Sequence, residues 1–294
     1  MSTNPTLRRS NRIRTIYSSL AIEQNTLSLE QVTAVLSGKR VIAPPKDIAE
    51  AKNAFEIYEM MDSLDPYSVD DLLNAHGVMT RDLVEESGCF RSRPVGVVDK
   101  QGNILHFGTL PDYVPGLVVE LLDWVRGSDF HMLIKSCVFH YELELIHPFA
   151  DGNGRIGRLW HTLLLTQWKP MFAWLPVESI IHDRQNEYYQ AINRSNNEAE
   201  STAFIEFMLS AIKEALLEAV QVGNTENMST EEQRWYQIER FLKKNGTITN
   251  ADVREMLGIS SATANRILAK MTEEGRIQKI RIGKSWGYVL QQRN

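Results

Sequence analysis

The sequence predicts a mostly α-helical protein in two parts: a large helical region interrupted by one short β-hairpin, and a smaller C-terminal module of three helices and a second hairpin. Three observations predict it. Apolar residues recur at helical spacing on both sides of a glycine-rich stretch at residues 147–158. One β-prone stretch with turn chemistry, residues 94–107, stands alone among helical patterns. After a polar break at residues 222–227, helical spacing resumes and then gives way to strict alternation near the C-terminus. At 294 residues the chain is long for one domain, and length favours about two.

In chain order, residues 1–47 form an N-terminal segment containing Ser19 and Glu23. Ala43, Pro44, Pro45, Lys46 and Asp47 break it from a long helical region that starts near Ile48, and residues 48–222 are expected as the main domain. There, Pro94, Val95, Gly96, Val97 and Val98 read as an extended run, residues 99–103 as a turn, and Ile104, Leu105, His106 and Phe107 as the returning strand. Between His131 and Ile146, the residues Ile134, Val138, Tyr141 and Leu145 mark a helix with a buried face. Pro148 disfavours helical backbone at the residue before it, so this helix should stop near His147. Ile156, Leu159, Trp160, Leu163 and Leu164 define a second core-facing helix starting near Gly152 or Asn153. The main domain's last helix is expected to end near Gln221. In residues 229–294, Ser229, Thr230, Glu231 and Glu232 read as a capping box opening a helix with Trp235, Ile238 and Leu242 on one face. Residues 250–257 read as a second helix stopped by Gly258, and residues 260–274 as a third capped by Gly275. Ile277, Ile280, Ile282, a Gly283-Lys284 turn, Trp286, Tyr288 and Leu290 alternate as a hairpin.

The chemistry concentrates in residues 147–158. His147 lies at a helix-to-loop junction, and Asp151 follows four residues on. Free backbone N–H groups at the start of the next helix, with its dipole, favour an anion there. Gly152 and Gly154 lack Cβ atoms, so a phosphate can approach the backbone. Arg155 and Arg158 are three apart, hence neighbours on a helix, and each offers a planar fork suited to phosphate oxygens. Asp151 suits Mg²⁺, which takes one or two carboxylates and completes its shell with water and phosphate. Each residue alone has an ordinary structural explanation; their order around one helix N-terminus points to phosphate chemistry.

The stretch from His147 to Arg158 resembles the signature of the Fic family, His-x-Phe-x-Asp/Glu-Gly-Asn-Gly-Arg-x-x-Arg, with every defining position present. The resemblance implies a Fic helical-bundle core, with the hairpin as a flap that pairs by main-chain hydrogen bonds with the segment holding the target hydroxyl. It implies a protein adenylyltransferase that moves AMP from ATP onto a Ser, Thr or Tyr hydroxyl of a protein. His147 would then be the general base and Asp151 would hold Mg²⁺ between the α- and β-phosphates. The amides around Gly152 and Gly154, with Asn153 and Arg155, would cradle the phosphates, and Arg158 would pair with the γ-phosphate. Such in-line attack needs positioning, a metal and cationic stabilisation more than covalent chemistry.

Ser19, Glu23 and the residues between them resemble the inhibitory motif Ser/Thr-x-x-x-Glu-Gly/Asn of many Fic proteins, which implies that Glu23 reaches Arg158 and denies it to the γ-phosphate. The sequence departs from that motif at Gln24, although Asn25 follows at once. Asn186, Glu187, Tyr188 and Tyr189 match a common Fic stretch close to the nucleoside, which implies that Tyr188 or Tyr189 walls the adenine. Arg91 and Arg93, beside the first strand, read as solvent-facing and outside the site.

No apolar run approaches the length of a membrane helix, and the arginine-rich start lacks the apolar core of a signal peptide, so the expected location is cytoplasmic, away from membranes. Cys89 and Cys137 make no metal pattern and are expected as unpaired thiols, with Cys137 buried. The seven histidines include no His-Glu-x-x-His arrangement, which argues against a zinc hydrolase.

Three helices followed by a hairpin resemble a winged helix. Residues 229–294 hold 12 Lys and Arg against 7 Asp and Glu, a balance of +5, so residues 1–228 carry −10 of the chain's −5. Such segregation suits a nucleic-acid module on an acidic enzyme. Ser261, Thr263, Asn265 and Arg266 on the third helix, with Lys279, Arg281 and Lys284 on the hairpin, are of types that reach bases or phosphates. Winged helices also serve as dimerisation or protein-docking modules, which leaves DNA and a homodimer both open as partners. Two other functions are compatible with the motifs: removal of AMP from a modified protein, with Glu23 orienting water, and a DNA-binding regulator whose main domain senses nucleotide.

Overall fold

The computed structural model describes residues 5–98, 104–226, 230–282 and 285–291. The helices are α1 (Pro5–Ile22), α2 (Leu29–Leu36), α3 (Pro45–Met60), α4 (Val69–Thr80), α5 (Val114–Gly127), α6 (Met132–Ile146), α7 (Asn153–Trp168), α8 (Val177–Asp183), α9 (Gln185–Glu198), α10 (Thr202–Glu226), α11 (Thr230–Asn245), α12 (Asn250–Leu257) and α13 (Ser261–Glu273). Two antiparallel hairpins complete it, β1 (Gly96–Val98) with β2 (Ile104–Phe107), and β3 (Ile277–Ile282) with β4 (Ser285–Leu290). The chain divides into two compact units, Met1–Ala219 and Val220–Asn294. The N-terminal segment belongs to the first.

In that unit α6 stands between two apolar cores. Phe139, Leu143 and Ile146 join Ile16, Leu20, Ile57, Leu72, Val118 and the α7 residues Ile156, Leu159, Trp160, Leu163 and Leu164. Cys137 and Tyr141 join Ile180, Tyr188, Phe204, Met208 and Ile212 on the other side. A helix buried on two sides has no single apolar stripe, and here the expected face is displaced: Ile134, Val138 and Leu145 are only part-buried. The stripe on α7 is buried throughout as read from its spacing. Gly157 lets α6 and α7 approach, since a Cβ there would lie 2.9 Å from the His140 ring.

Pro148 ends α6 as expected. His147 takes the left-handed conformation, φ 52°, as its C-cap, and its N–H returns to the Leu143 carbonyl. The first hairpin pairs Gly96 with Phe107 and Val97 with His106, and its register shifts between Val97 and Val98; the expected turn at residues 99–103 lies outside the described residues. Helix α10 continues to Glu226, five residues past the expected stop at Gln221, because the stretch after it contains no proline and its Gly223 alone does not end a helix.

In the second unit Ile238, Leu242, Val253, Ala264, Leu268, Met271 and Ile277 form a separate core. Ser260 caps α13 by accepting from the Thr263 N–H, and Gly258 and Gly275 sit at φ 62° and 67° where α12 and α13 end. β3 and β4 pair from Ile277 with Leu290 to Ile282 with Ser285. Ser229 and the Gly283-Lys284 turn lie outside the described residues. Three helices with a terminal hairpin are a winged helix-turn-helix.

Candidate active site

The loop from His147 to Gly152 is held from three directions. Arg91 is 2% exposed and donates from Nε to the His147 carbonyl at 2.7 Å, from Nη1 to the Arg93 carbonyl at 2.9 Å and from Nη2 to the Thr109 carbonyl, while its backbone N–H reaches Pro148 O at 3.0 Å. His76, on α4, stacks face to face on Phe149 with centroids 3.8 Å apart. Its Nδ1 accepts from the Gly88 N–H at 3.0 Å, so Nε2 carries the proton and donates to the Asp151 carbonyl at 3.0 Å. From within the loop, both ends of the Asn153 amide close on Phe149, Oδ1 accepting from its N–H and Nδ2 donating to its carbonyl, each at 2.9 Å. The Asn153 side chain therefore fixes the shape of the loop that leads into α7.

Gly152, at φ 88°, is the N-cap of α7. Asp151 Oδ1 accepts from the Gly152 N–H at 2.5 Å and from Arg155 Nη2 at 3.0 Å. The buried Arg155 also reaches Glu50 Oε1 on α3 at 3.3 Å. This leaves Asp151's second carboxylate oxygen on a side chain that is 48% exposed. Among the described residues no group of three or more His, Cys, Asp or Glu is arranged to hold a metal ion by itself. A hard cation at Asp151 would therefore depend on substrate phosphates and water, which is how Mg²⁺ is commonly held.

Arg158 is enclosed. Its Nε donates to Ser19 Oγ at 3.0 Å, and Nη2 donates to the Ser19 carbonyl at 3.0 Å and to Glu23 Oε1 at 2.6 Å. The guanidinium is 1% exposed and Glu23 36%. Glu23 sits just past the C-terminus of α1, in a turn where Asn25 returns its N–H to Leu20 O. Asn25 then donates to Glu50 Oε2 at 2.8 Å, so one carboxylate on α3 connects the Glu23 turn to Arg155. The Glu23 carboxylate lies directly over Gly154, in the space a Cβ there would fill. A negative group thus already stands at the N-terminus of α7.

A family model described as the Fic/DOC family matches residues 66–165. The crystal structure of a Fic family protein from Desulfovibrio desulfuricans G20 is 43% identical, covers 99% of this chain and 89% of its own, and superposes with a TM-score of 0.73. The chain belongs to the Fic/DOC family. A second model, winged helix-turn-helix DNA-binding, matches residues 237–278 of this Fic chain. Among curated relatives, protein adenylyltransferase fic-1 of Caenorhabditis elegans is 31% identical over 196 residues, 62% of this chain and 36% of the relative. Protein adenylyltransferase Fic of Nematostella vectensis is 29% identical over 205 residues, 66% and 45% respectively. The chain spans less than half the length of these two Fic relatives.

The structure separates the two tyrosines. Tyr188 is buried among Phe204 and Phe207, and its hydroxyl meets His140 Nε2 at 3.2 Å, so it belongs to the core and not to an adenine wall. Tyr189 is 37% exposed and is the one of the pair that can meet a base. Arg91 corrects a second expectation: it is buried against the Fic loop, not solvent-facing. His76, Glu50 and Glu144 also frame the site without having been singled out in the sequence. Glu144 lies one turn before His147, its Oε2 4.0 Å from His147 Nδ1. Burial first, and the Glu23 carboxylate second, push Glu144 up to about 7, with Arg158 opposing.

Proposed function

We propose that the chain is a protein adenylyltransferase that transfers AMP from Mg·ATP to a Ser, Thr or Tyr hydroxyl of a protein and is restrained by Glu23. The observation that carries this reading is the Glu23–Arg158 pair over Gly154. A carboxylate from the turn after α1 rests where the dipole of α7 and a buried arginine favour phosphate, so the cradle's affinity for anions is already in use. The names of the curated relatives support the reaction type. His147, at the mouth of the loop, takes the proton of the target hydroxyl as its oxygen bonds to the α-phosphorus and the bond to pyrophosphate breaks. The amides of Asn153 and Gly154 receive phosphate oxygens, the Gly152 N–H being held by Asp151, and Arg155, fixed between Asp151 and Glu50, supplies positive charge beside them. Asp151 would hold Mg²⁺, which neutralises phosphate charge when bound. Arg158 becomes available to the γ-phosphate when Glu23 withdraws. The β1–β2 flap is the edge on which the target's main chain would add as a strand. A cytoplasmic location belongs to the same proposal, because the substrate is ATP and both cysteines are free thiols.

The test uses α-labelled ATP. Glu23→Gly should raise automodification at least about tenfold, the effect of removing roughly 1.4 kcal/mol of inhibitory bias. His147→Ala in the same background should abolish it while ATP binding persists. Equal labelling of wild type and Glu23→Gly at saturating Mg·ATP would remove the inhibitory role, and full activity without His147 would remove the base.

The second unit, by this proposal, contacts DNA. Its basic balance and the family model support this, as do Ser261, Asn265 and Arg266, which lie exposed on α13. Affinity for duplex DNA that falls steeply as salt rises is the expected signature, and salt-independent binding would argue for a protein partner instead.

A further inference from the structure

Glu144 is a part-buried carboxylate that the proposed reaction does not use, and it faces both halves of the site. Toward the loop, its Oε2 is 4.0 Å from His147 Nδ1. Toward α7, its Oε1 lies 3.3 Å from where a Gly154 Cβ would be and 3.5 Å from the same position at Gly157. The Glu23 carboxylate occupies that space above Gly154 as well. Two carboxylates therefore flank one spot, and the guanidinium beside them, Arg158, is hydrogen-bonded to Glu23 and Ser19. Like charges at such a separation do not both ionise readily in a desolvated site.

We propose that Glu144 is the positioning residue of the base and its link to the inhibitory segment: it holds a proton while Glu23 occupies the space over Gly154, and ionises when Glu23 withdraws, ready to pair with the imidazolium that His147 becomes on taking the target's proton. The inference rests on the reading of His147 as base and Glu23 as inhibitor. An ionised carboxylate near Nδ1 favours the imidazolium that forms as the target hydroxyl loses its proton, while Nδ1 itself meets the Glu144 main-chain carbonyl at 3.3 Å.

The direction with pH follows from proton counting. The Glu23-in state binds one more proton than the Glu23-out state, so acid favours inhibition and rising pH through about 7 favours release. The other groups facing Glu144 do not mimic this. Arg158, on α7, stays charged. Tyr188 and Tyr189, on α9, are both raised, burial being the first cause. His140, on α6 itself, is lowered by burial and held neutral. His147 remains, and its own titration is read separately, from the acid limb of the pH–kcat profile.

Two measurements on the full chain test the proposal. In the first, the carboxyl carbons of glutamate are labelled with ¹³C and the Glu144 resonance, assigned by Glu144→Gln, is titrated. Its midpoint should lie near neutrality in wild type and fall by about one pH unit or more in Glu23→Gly. An unchanged midpoint would overturn the link to Glu23. Because this reads a proton and not a product, it stands even if no transfer activity is found, which would instead sink the functional reading. In the second, automodification is measured at about pH 6 and about pH 8 for wild type, Glu23→Gly, Glu144→Gln and the double variant. The activation produced by Glu23→Gly should shrink at least about threefold between the two pH values when Glu144 is present, and stay constant when it is Gln. In the Glu23→Gly background, Glu144→Gln should lower kcat about tenfold with KM for ATP nearly unchanged, and move the acid limb of the pH–kcat profile to lower pH. An unmoved acid limb would show that Glu144 does not act through His147.

Discussion

Arg91 carries a guanidinium into the interior and directs its fork at backbone carbonyls. Three of them belong to different segments: His147 at the end of α6, Arg93 before the β1–β2 hairpin and Thr109 after it. Gly108 makes room, since a Cβ there would lie 2.9 Å from Arg91 Nη2 and 3.4 Å from His147 Cβ. His147 is also a non-glycine residue at φ 52°, a conformation that costs about 1–2 kcal/mol and persists because its surroundings hold it. Removing the arginine should let the base drift by a fraction of an ångström without touching any phosphate contact. Arg91→Ala in the Glu23→Gly background should therefore reduce kcat by about tenfold to a hundredfold, with KM for ATP within about twofold. Arg91→Lys should restore only part of the loss, because one ammonium cannot reach three diverging carbonyls. A full kcat in Arg91→Ala would show that the arginine merely closes the turn.

At the scale of elements, the turn that ends α1 decides how firmly Glu23 sits. Gln24 has φ 67°, the left-handed region that glycine adopts freely and asparagine tolerates. This gives a physical reason for Gly or Asn after the glutamate in the inhibitory motif, and identifies what the departure at Gln24 does here: it strains the Glu23-in turn. Asn25 and Thr26 compensate by anchoring the turn to Glu50 and Asp47 on α3. Strain present only while Glu23 is in place biases the chain toward release. Gln24→Gly should lower basal automodification by roughly twofold to fivefold, the equivalent of about 0.5–1 kcal/mol. Unchanged automodification would mean that the strain persists in both states.

The same elements show what the sequence could and could not disclose. The start of α7 at Asn153, the stop of α6 at Pro148 and the caps of α12 and α13 were legible because each rests on a local rule about proline, glycine or spacing. The buried faces of α6 were not, because a helix between two cores loses its stripe. Arg91, His76 and Glu144 were missed for another reason. Their partners lie on other segments or hang on a fold not yet closed, and no short pattern marks an arginine or histidine that serves carbonyls. Tyr188 was separable from Tyr189 only by seeing which of two adjacent residues faced Phe204.

At the scale of the whole molecule, charge and cores are both partitioned. Residues 1–228 carry −10 and residues 229–294 carry +5. Every candidate catalytic and inhibitory residue lies within Met1–Ala219, and the winged-helix core from Ile238 to Tyr288 is built from residues of the second unit alone. A cut before residue 229 removes that core entire, and no residue beyond Ala219 belongs to the cores flanking α6. Deleting residues 229–294 from the Glu23→Gly chain should consequently keep automodification within about threefold and leave the melting transition of the remaining unit cooperative, while abolishing any salt-dependent DNA affinity. The rate must be compared per molecule at several protein concentrations, because a module that only gathers copies together would matter less as concentration rises. If the folded truncation loses more than about tenfold in rate at every concentration, the C-terminal unit takes part in catalysis itself, and the partition of chemistry between the two units is wrong.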